Sequence, residues 1–365
     1  MKWLPKFRFS MRTLFILVTL LCVLLVPVSV KLYQARQQRL VVEWVLASGG
    51  SVDYDYERPK DGGYRNYAEP EDNLWLRSIL GNDFFDTVVY VSIENPTVTD
   101  ISVLSHLQSL DSLVITFSSK ESYTAKHMAE LSKLNCPLTV RLIGPFLDLT
   151  PIQRLNNIRV LTIGATYVKD LTPLIHLDQL ESLYILNNYN LQDYSALPNV
   201  RNLKSLGLSS NQVTDISALS KLSSLKSLKL HYTRVTDFTP LSDLTQLEKL
   251  EIIQVIDRDF SPISDPRQLK ELEIIRDKVT DLAPFAKLIN LRDLELEIPN
   301  ANDLTPLAKL VNLRDLELET PKINNLSPLF KLSNLETLIL KDMQVPEAEI
   351  DKLKKALPNC SVRKR

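Results

Sequence analysis

The sequence predicts an α/β solenoid, a curved parallel β-sheet built from stacked short repeats, each one strand and one compact return, with a cap at either end. Three observations predict it. An acidic or amide residue recurs at Asp148, Asp170, Asp193, Asp215, Asp237, Asp259, Asp281, Asp303 and Asn325, spaced by 22 residues apart from one step of 23. Apolar residues recur around each marker, so that Leu225, Leu228, Leu230, Val235, Leu241 and Leu244 match Leu291, Leu294, Leu296, Ala301, Leu307 and Leu310. A proline follows three residues after most markers, at Pro151, Pro173, Pro240, Pro262, Pro284, Pro306 and Pro328. Self-similarity at such a period marks units that bury their apolar face only by stacking.

Composition agrees with ordered structure. The chain has 365 residues, 44% hydrophobic and 24% charged, with only 8 glycines. Its 43 lysines and arginines against 44 acids leave no global field to draw it to nucleic acid. Of three cysteines, Cys22 lies in an apolar run, and no disulfide framework or zinc spacing is available. Stacked repeats would hold Cys136 and Cys360 apart, whereas bridged Cα atoms must lie within about 7 Å.

The chain opens with a basic tail over 1–13 carrying Lys2, Lys6, Arg8 and Arg12 without an acid. Leu14 to Val30 follows uncharged, a transmembrane signal anchor at the short end of spanning length. A cleaved signal peptide shares this head but ends in small residues at its cleavage site, which Pro27 to Tyr33 supply poorly. The retained anchor is therefore favoured. Lys31, Arg36 and Arg39 beyond the span make the positive-inside margin four to three. That margin favours a cytoplasmic N-terminus and a repeat domain outside the cytoplasmic membrane, in the periplasm or at the cell surface. Residues 31–86 read as a juxtamembrane helix and an N-terminal cap. Gln34 to Ser48 is a helix stopped by Gly49 and Gly50, Ser51 to Tyr56 a strand, Glu57 to Asn73 a loop and Leu74 to Leu80 a short helix.

The repeats occupy 87–345, about twelve units. The L-x-x-L-x-L segment puts leucines on one face of a short strand by two-residue alternation, and later leucines turn the chain back beneath it. Proline in the return cannot continue a sheet and sets a 3₁₀-like turn. Thr124 to Leu134, in one longer unit, has the spacing of a helical turn. In the segment 346–365, Pro346 to Leu357 places Ile350, Leu353 and Ala356 on one helical face before a last strand near Ser361, forming a C-terminal cap.

Leu203 to Leu222, LKSLGLSSNQVTDISALSKL, resembles the 22-residue repeat of the bacterial internalin class of leucine-rich-repeat proteins. The resemblance runs from about Val88 to Leu340. It implies a leucine-rich-repeat solenoid with a concave sheet and 3₁₀ or short helical returns on the convex side. The family usually carries an asparagine four residues before the marker, bonding backbone groups of neighbouring turns. Only Asn211 supplies it here, against Thr166, Tyr189, Thr233, Val255, Asp277, Pro299 and Pro321.

Little points to catalysis. The four histidines, His106, His127, His176 and His231, include no pair with zinc spacing and read as solvated or satisfied side chains. Gly49-Gly50 and Gly62-Gly63 lack the lysine and setting of a phosphate loop, and no serine sits in a nucleophile elbow. The repeated aspartates stand one per repeat, which suits capping of each local turn better than calcium. No cofactor or metal is expected, and the chain reads as a binding protein and not an enzyme.

The binding face follows from the alternation. Around Leu250, Leu272, Leu294 and Leu316 the outward positions are Lys249, Glu251, Ile253, Glu271, Glu273, Ile275, Asp293, Glu295, Glu297, Asp315, Glu317 and Glu319, nine of them acidic. Like charges facing one another on adjacent strands destabilise a sheet. Solvent screening and a basic ladder of Lys270, Arg292 and Arg314 one position earlier would ease that cost. Such a face suits a basic protein segment or cationic polymer. The preceding part of the face is mixed, with Tyr184, Leu186, Ser205, Gly207, Ser209, Ser227, Lys229 and His231. The competing reading is a structural spacer or assembly element of the cell envelope.

Overall fold

The computed structural model describes residues 10–57, 74–94, 101–117, 129, 132–133, 138–188, 190–210, 212–254, 260–264, 268–275 and 279–365. The basic residues Lys2, Lys6 and Arg8, the loop over 58–73, Asp259, Asn211, Tyr189, His127, Cys136 and most of the helix expected at 124–134 lie outside the described residues.

Among the described residues, fourteen strands form one open sheet in chain order. They are β1 (Ser51–Tyr54), β2 (Val88–Ile93), β3 (Ser112–Thr116), β4 (Leu138–Ile143), β5 (Ile158–Gly164), β6 (Ser182–Leu186) and β7 (Ser205–Ser209). There follow β8 (Ser227–His231), β9 (Lys249–Ile253), β10 (Glu271–Ile275), β11 (Asp293–Glu297), β12 (Asp315–Glu319), β13 (Thr337–Leu340) and β14 (Ser361–Lys364). β1 pairs antiparallel with β2, and the remaining neighbours pair in parallel. From β9 to β12 the register advances by one repeat without slippage, Leu250 facing Leu272, then Leu294, then Leu316. Leucines at matching positions therefore stack into a continuous buried file, at most 2% exposed across these four.

The returns are 3₁₀ turns, most with proline at their start, among them Thr172–His176, Thr239–Asp243, Ala283–Lys287, Thr305–Lys309 and Ser327–Lys331. Proline sits there without loss because the first turn of a helix has no internal partner for that N–H. The marker completes each turn. Oδ1 of Asp148, Asp170, Asp193, Asp215, Asp237, Asp281, Asp303 and Asn325 accepts the backbone N–H two residues on, at 2.7 to 3.0 Å. Behind the returns, the buried rings of Phe238, Phe260 and Phe285 follow one another at centroid distances of 5.3 and 5.9 Å.

The head departs from expectation. The span and the juxtamembrane helix are one continuous helix, α1 (Met11–Ala47). Nothing between Val30 and Gln34 breaks a helix, and Pro27 is tolerated within it. Thr19 and Ser29 hydroxyls bond back to the Phe15 and Leu25 carbonyls at 2.8 Å, which pairs each polar group within the helix itself. Helix α1 closes where Gly49 takes a φ of 75° and Gly50 N–H bonds the Val45 carbonyl. The expected strand at 51–56 ends at Tyr54.

The second half of α1 packs on the solenoid's open end, with Val41 and Val45 fully buried in its core. Helix α2 (Leu74–Leu80) lies beside it, and Arg77 forms a buried ion pair with Asp86. At the other end α3 (Glu347–Ala356) buries Ile350 and Leu353, and β14 extends the sheet. Both ends of the leucine file are thus covered.

Replacing Phe260 with Ala should lower unfolding free energy by about 3–5 kcal/mol, because it opens a cavity between two rings. Denaturant titration measures this, and a loss below about 1 kcal/mol would contradict the described packing. Asp237→Ala should lower the melting temperature at neutral pH, whereas Asp237→Asn, which keeps Oδ1 as Asn325 does naturally but loses the charge, should lower it less.

Candidate functional site

Strand alternation turns every residue between two buried leucines to the concave side. The paired register sets these residues in rows across the sheet, about 4.8 Å apart. The middle row runs Tyr184, Gly207, Lys229, Glu251, Glu273, Glu295, Glu317, Ile339, Arg363. A second row runs Ser205, Ser227, Lys249, Glu271, Asp293, Asp315, Thr337, and a third runs Ser209, His231, Ile253, Ile275, Glu297, Glu319. Over β10 to β12 the first two rows border a groove of about 240 Å³ whose lining includes Glu273, Asp293, Glu295, Asp315 and Glu317.

The carboxylates in these rows are not equivalent. Glu251 is buried, with Lys229 Nζ at 2.5 Å and His231 Nε2 at 2.6 Å. Lys249 holds Glu271 at 2.6 Å. Lys341, at the exit of β13, bridges Glu317 and Glu295, the latter at 3.3 Å. Glu273 stands between Glu251 and Glu295 with no ion pair among the described residues. Burial, then the charges of Glu251 and Glu295, push its carboxyl above the ordinary 4.5. Burial also raises Asp293, together with its hydrogen bond to Asp315 and that neighbour's charge. A hydrogen bond between two carboxyl groups needs a proton on one of them. The middle of the groove is consequently an undercompensated acidic strip flanked by compensated positions.

The basic ladder expected to ease the acidic face turns to other partners. Lys270 donates to Glu248 at 2.6 Å, and Arg314 lies 3.6 Å from Glu336, both on the edge where the strands begin. That ladder neutralises its own edge. The effective cations are Lys229, Lys249 and Lys341. Lys341 follows Glu319 by 22 residues and so continues the third row, where Glu297 and Glu319 precede it; the spacing puts it on the face, and the structure shows which carboxylates it reaches.

In the mixed half, the Tyr184 ring lies across Gly207, where any Cβ would come within 2.5 Å of ring Cδ1. Its hydroxyl lies 3.2 Å from Ser205 Oγ. Glycine here makes room for a flat aromatic side chain on the concave surface.

The asparagine series also needs correction. At the 23-residue step Asn188, and not position 189, fills the expected place, since the extra residue shifts the count by one. It is buried, and its Oδ1 accepts N–H groups of Asn190 and Leu191 at 2.9 and 3.0 Å. A second amide series links neighbouring turns. Nδ2 of Asn202, Asn312 and Asn334 donates to the carbonyls of Asp178, Ile289 and Val311 in the preceding turns at 2.7 to 2.8 Å. Its signal was in the sequence, as an asparagine directly before Leu203, Leu313 and Leu335. Among the described residues, no group of three or more His, Cys, Asp or Glu could hold a metal ion.

A family model described as Leucine Rich repeats (2 copies) matches residues 201–243. An internalin, inlF, from Listeria monocytogenes superposes with a TM-score of 0.58 at 25% identity, covering 79% of this chain and 86% of that one. This is a leucine-rich-repeat solenoid of the internalin-like kind. A leucine-rich-repeat protein of Leptospira interrogans shares the fold, with a TM-score of 0.56 at 19% identity and 74% of each chain covered. So does a chain of the Toll - Spatzle complex of Drosophila, TM-score 0.58 at 15% identity, covering 76% of this chain and 44% of that one. No curated protein matches in sequence. Leucine-rich-repeat proteins generally mediate protein binding.

The internalin-like solenoid should show an unusual pH profile. Glu273 and Asp293 are held above their ordinary values of 4.5 and 3.8, so the folded chain takes up protons there before the unfolded one, and mild acid stabilises it. Asp170, Asp237 and Asp303 are held below 3.8, chiefly by the hydroxyls of Thr172, Thr239 and Thr305, and Asp193 by the Ser195 N–H. Their contribution is complete above that value and is lost as pH falls through their folded values. Melting temperature should therefore rise from neutral pH toward the ordinary carboxylate range and fall below it. Glu273→Gln should flatten the rise and leave the fall intact.

Proposed function

We propose that this chain is a membrane-anchored leucine-rich-repeat protein that binds a basic protein segment or cationic polymer in the concave groove over β10 to β12. The observation that carries the reading is Glu273, Asp293 and Asp315 side by side without enough cations. Glu251 has Lys229, Glu271 has Lys249, and Glu295 and Glu317 share Lys341, whereas these three have the company of other acids. A cationic ligand group entering there would replace repulsion with attraction, and a concave surface of one sign speeds encounter. Lys229 and Arg363 stand beyond the two ends of the acidic row, so charge would also set where such a ligand stops. The chemistry in view is adhesion by complementary charge and not catalysis. Tyr184, Lys229 and His231 belong to the adjoining mixed part of the face.

Anchoring rests on α1, whose first part is long and apolar enough to cross a membrane and is exposed throughout. Leu14 to Val30 supplies the span, and the repeat domain then stands in the periplasm or at the cell surface. The fold similarity to surface-type binding proteins supports the same placement.

The test uses the full chain in nanodiscs, because Ala35, Val41 and Val45 of α1 are buried and a shortened chain would lose part of its core. Titration with an oligolysine peptide should give saturable binding that weakens as the Debye length falls from about 10 Å at 0.1 M to about 3 Å at 1 M salt. The triple reversal Glu273→Lys, Glu295→Lys and Glu317→Lys should abolish it. Equal affinity in the reversed and native chains would exclude the groove, and constitutive large assemblies in place of a bound monomer would favour the spacer.

A further inference from the structure

The edge where the strands begin carries a row of charges one position ahead of the concave face. Backbone bonds of 2.7 to 2.8 Å, from Lys270 N–H to the Glu248 carbonyl through Glu336 N–H to the Arg314 carbonyl, set Glu248, Lys270, Arg292, Arg314 and Glu336 side by side. Neighbours in such a row stand about 4.8 Å apart. Acids meet this run of cations at its two ends. Glu248 is shared by Lys270 and Lys226, at 2.6 and 3.3 Å, and Arg314 lies 3.6 Å from Glu336. Arg292 is exposed between two cations and has no ion pair among the described residues. Lys204, farther along the same edge, has its acid in Glu181 at 3.2 Å. The open centre is therefore particular to this stretch and not a property of every coil.

Arg292 lines a groove of about 480 Å³ together with Arg314 and the side chains of Asn290, Asn312 and Asn334. Two of these amides are fixed in place. Asn312 and Asn334 each donate one Nδ2–H to a carbonyl of the preceding turn, those of Ile289 and Val311, at 2.8 Å. A side-chain amide has two N–H donors and a carbonyl oxygen, so a donor and an acceptor remain at each for a ligand. Held already, they lose little freedom when one arrives.

This combination selects a ligand. An unpaired guanidinium suits a carboxylate or phosphate, which its planar fork meets with two parallel bonds. Amides that keep both a donor and an acceptor match groups that also do both, as hydroxyls do. The backbone along this edge is already paired within the sheet, so an acidic peptide could not add to it as a strand. Lys270 to Arg314 spans two strand intervals, about 10 Å. Beyond them Glu248 and Glu336 would repel a long, uniformly charged chain such as nucleic acid. A short anion rich in hydroxyls fits these limits.

We propose that the groove beside Arg292 is a binding site for an acidic sugar unit, with its carboxylate or phosphate on Arg292 and its hydroxyls on the amides of Asn312 and Asn334. The site lies outside the concave acidic groove and does not rest on the ligand proposed there.

The test titrates the full chain in phosphatidylcholine nanodiscs with trigalacturonate and with glucose 6-phosphate, followed by calorimetry. At least one should bind saturably and about tenfold or more tighter than its neutral counterpart, galactotriose or glucose, because hydrogen bonds to charged groups are the stronger ones. The better of the two distinguishes carboxylate from phosphate. Arg292→Gln should weaken that binding about tenfold or more, and Arg292→Lys, which keeps the charge without the fork, should recover part of it. Arg292 is exposed, so the thermal melt of the Gln variant should match the native chain and separate lost binding from lost folding. Failure of both sugars to bind, or equal affinity in native and Arg292→Gln chains, overturns the site. Acetate or inorganic phosphate binding as tightly as the matching sugar would leave the hydroxyls no role and also overturns it. So does a triglutamate peptide that binds equally well, which would make the ligand an acidic peptide.

Discussion

The in-register stacking of inward leucines is the constraint from which the other features of this molecule descend. A single repeat buries almost nothing, so each coil is stable only against the next, and any register slip would move its leucines toward water. Leu250, Leu272, Leu294 and Leu316 share one file because their strands pair position for position. The same pairing aligns whatever lies between the leucines. Rows of like residues on the concave face are thus a direct consequence of core packing.

Those rows create an electrostatic difficulty that the fold resolves unevenly. Side chains one strand apart are too close for like charges to ignore one another. Lys229, Lys249 and Lys341 relieve the margins of the acidic strip, and Glu273 and Asp293 absorb the remainder through raised proton affinity. The aspartate markers behave oppositely. They meet hydroxyl and N–H donors in their own turns, so negative charge is favoured there. One residue type therefore stabilises the returns and burdens the face, according to the donors within reach.

The caps solve a different problem. The file of leucines must end somewhere, and α1 and α3 cover its two ends. Because one helix serves both as apolar segment and as cap, with no break between, the solenoid is joined to its N-terminal segment without a hinge. Any neighbour of that segment is thereby brought close to α2 and the first strands.

Much of this was legible in the residues before any coordinates. The 22-residue spacing, the leucine pattern and the prolines specify strand, return and stacking direction, because periodicity is a local property that burial must respect. They also identify which residues line the concave face. What they leave open depends on contacts between distant turns. Lys341 takes the repeated position that Glu297 and Glu319 hold in the preceding coils, yet it reaches across to Glu295 and Glu317; Lys270 looks like their counter-ion but turns to Glu248. The continuity of α1, the substitution of Asn188 for its neighbour, and the burial of Glu251 likewise follow from packing across repeats. Linear order determines which side chains a strand displays, whereas only the assembled stack decides how far apart their charges stand and which of them remain unneutralised.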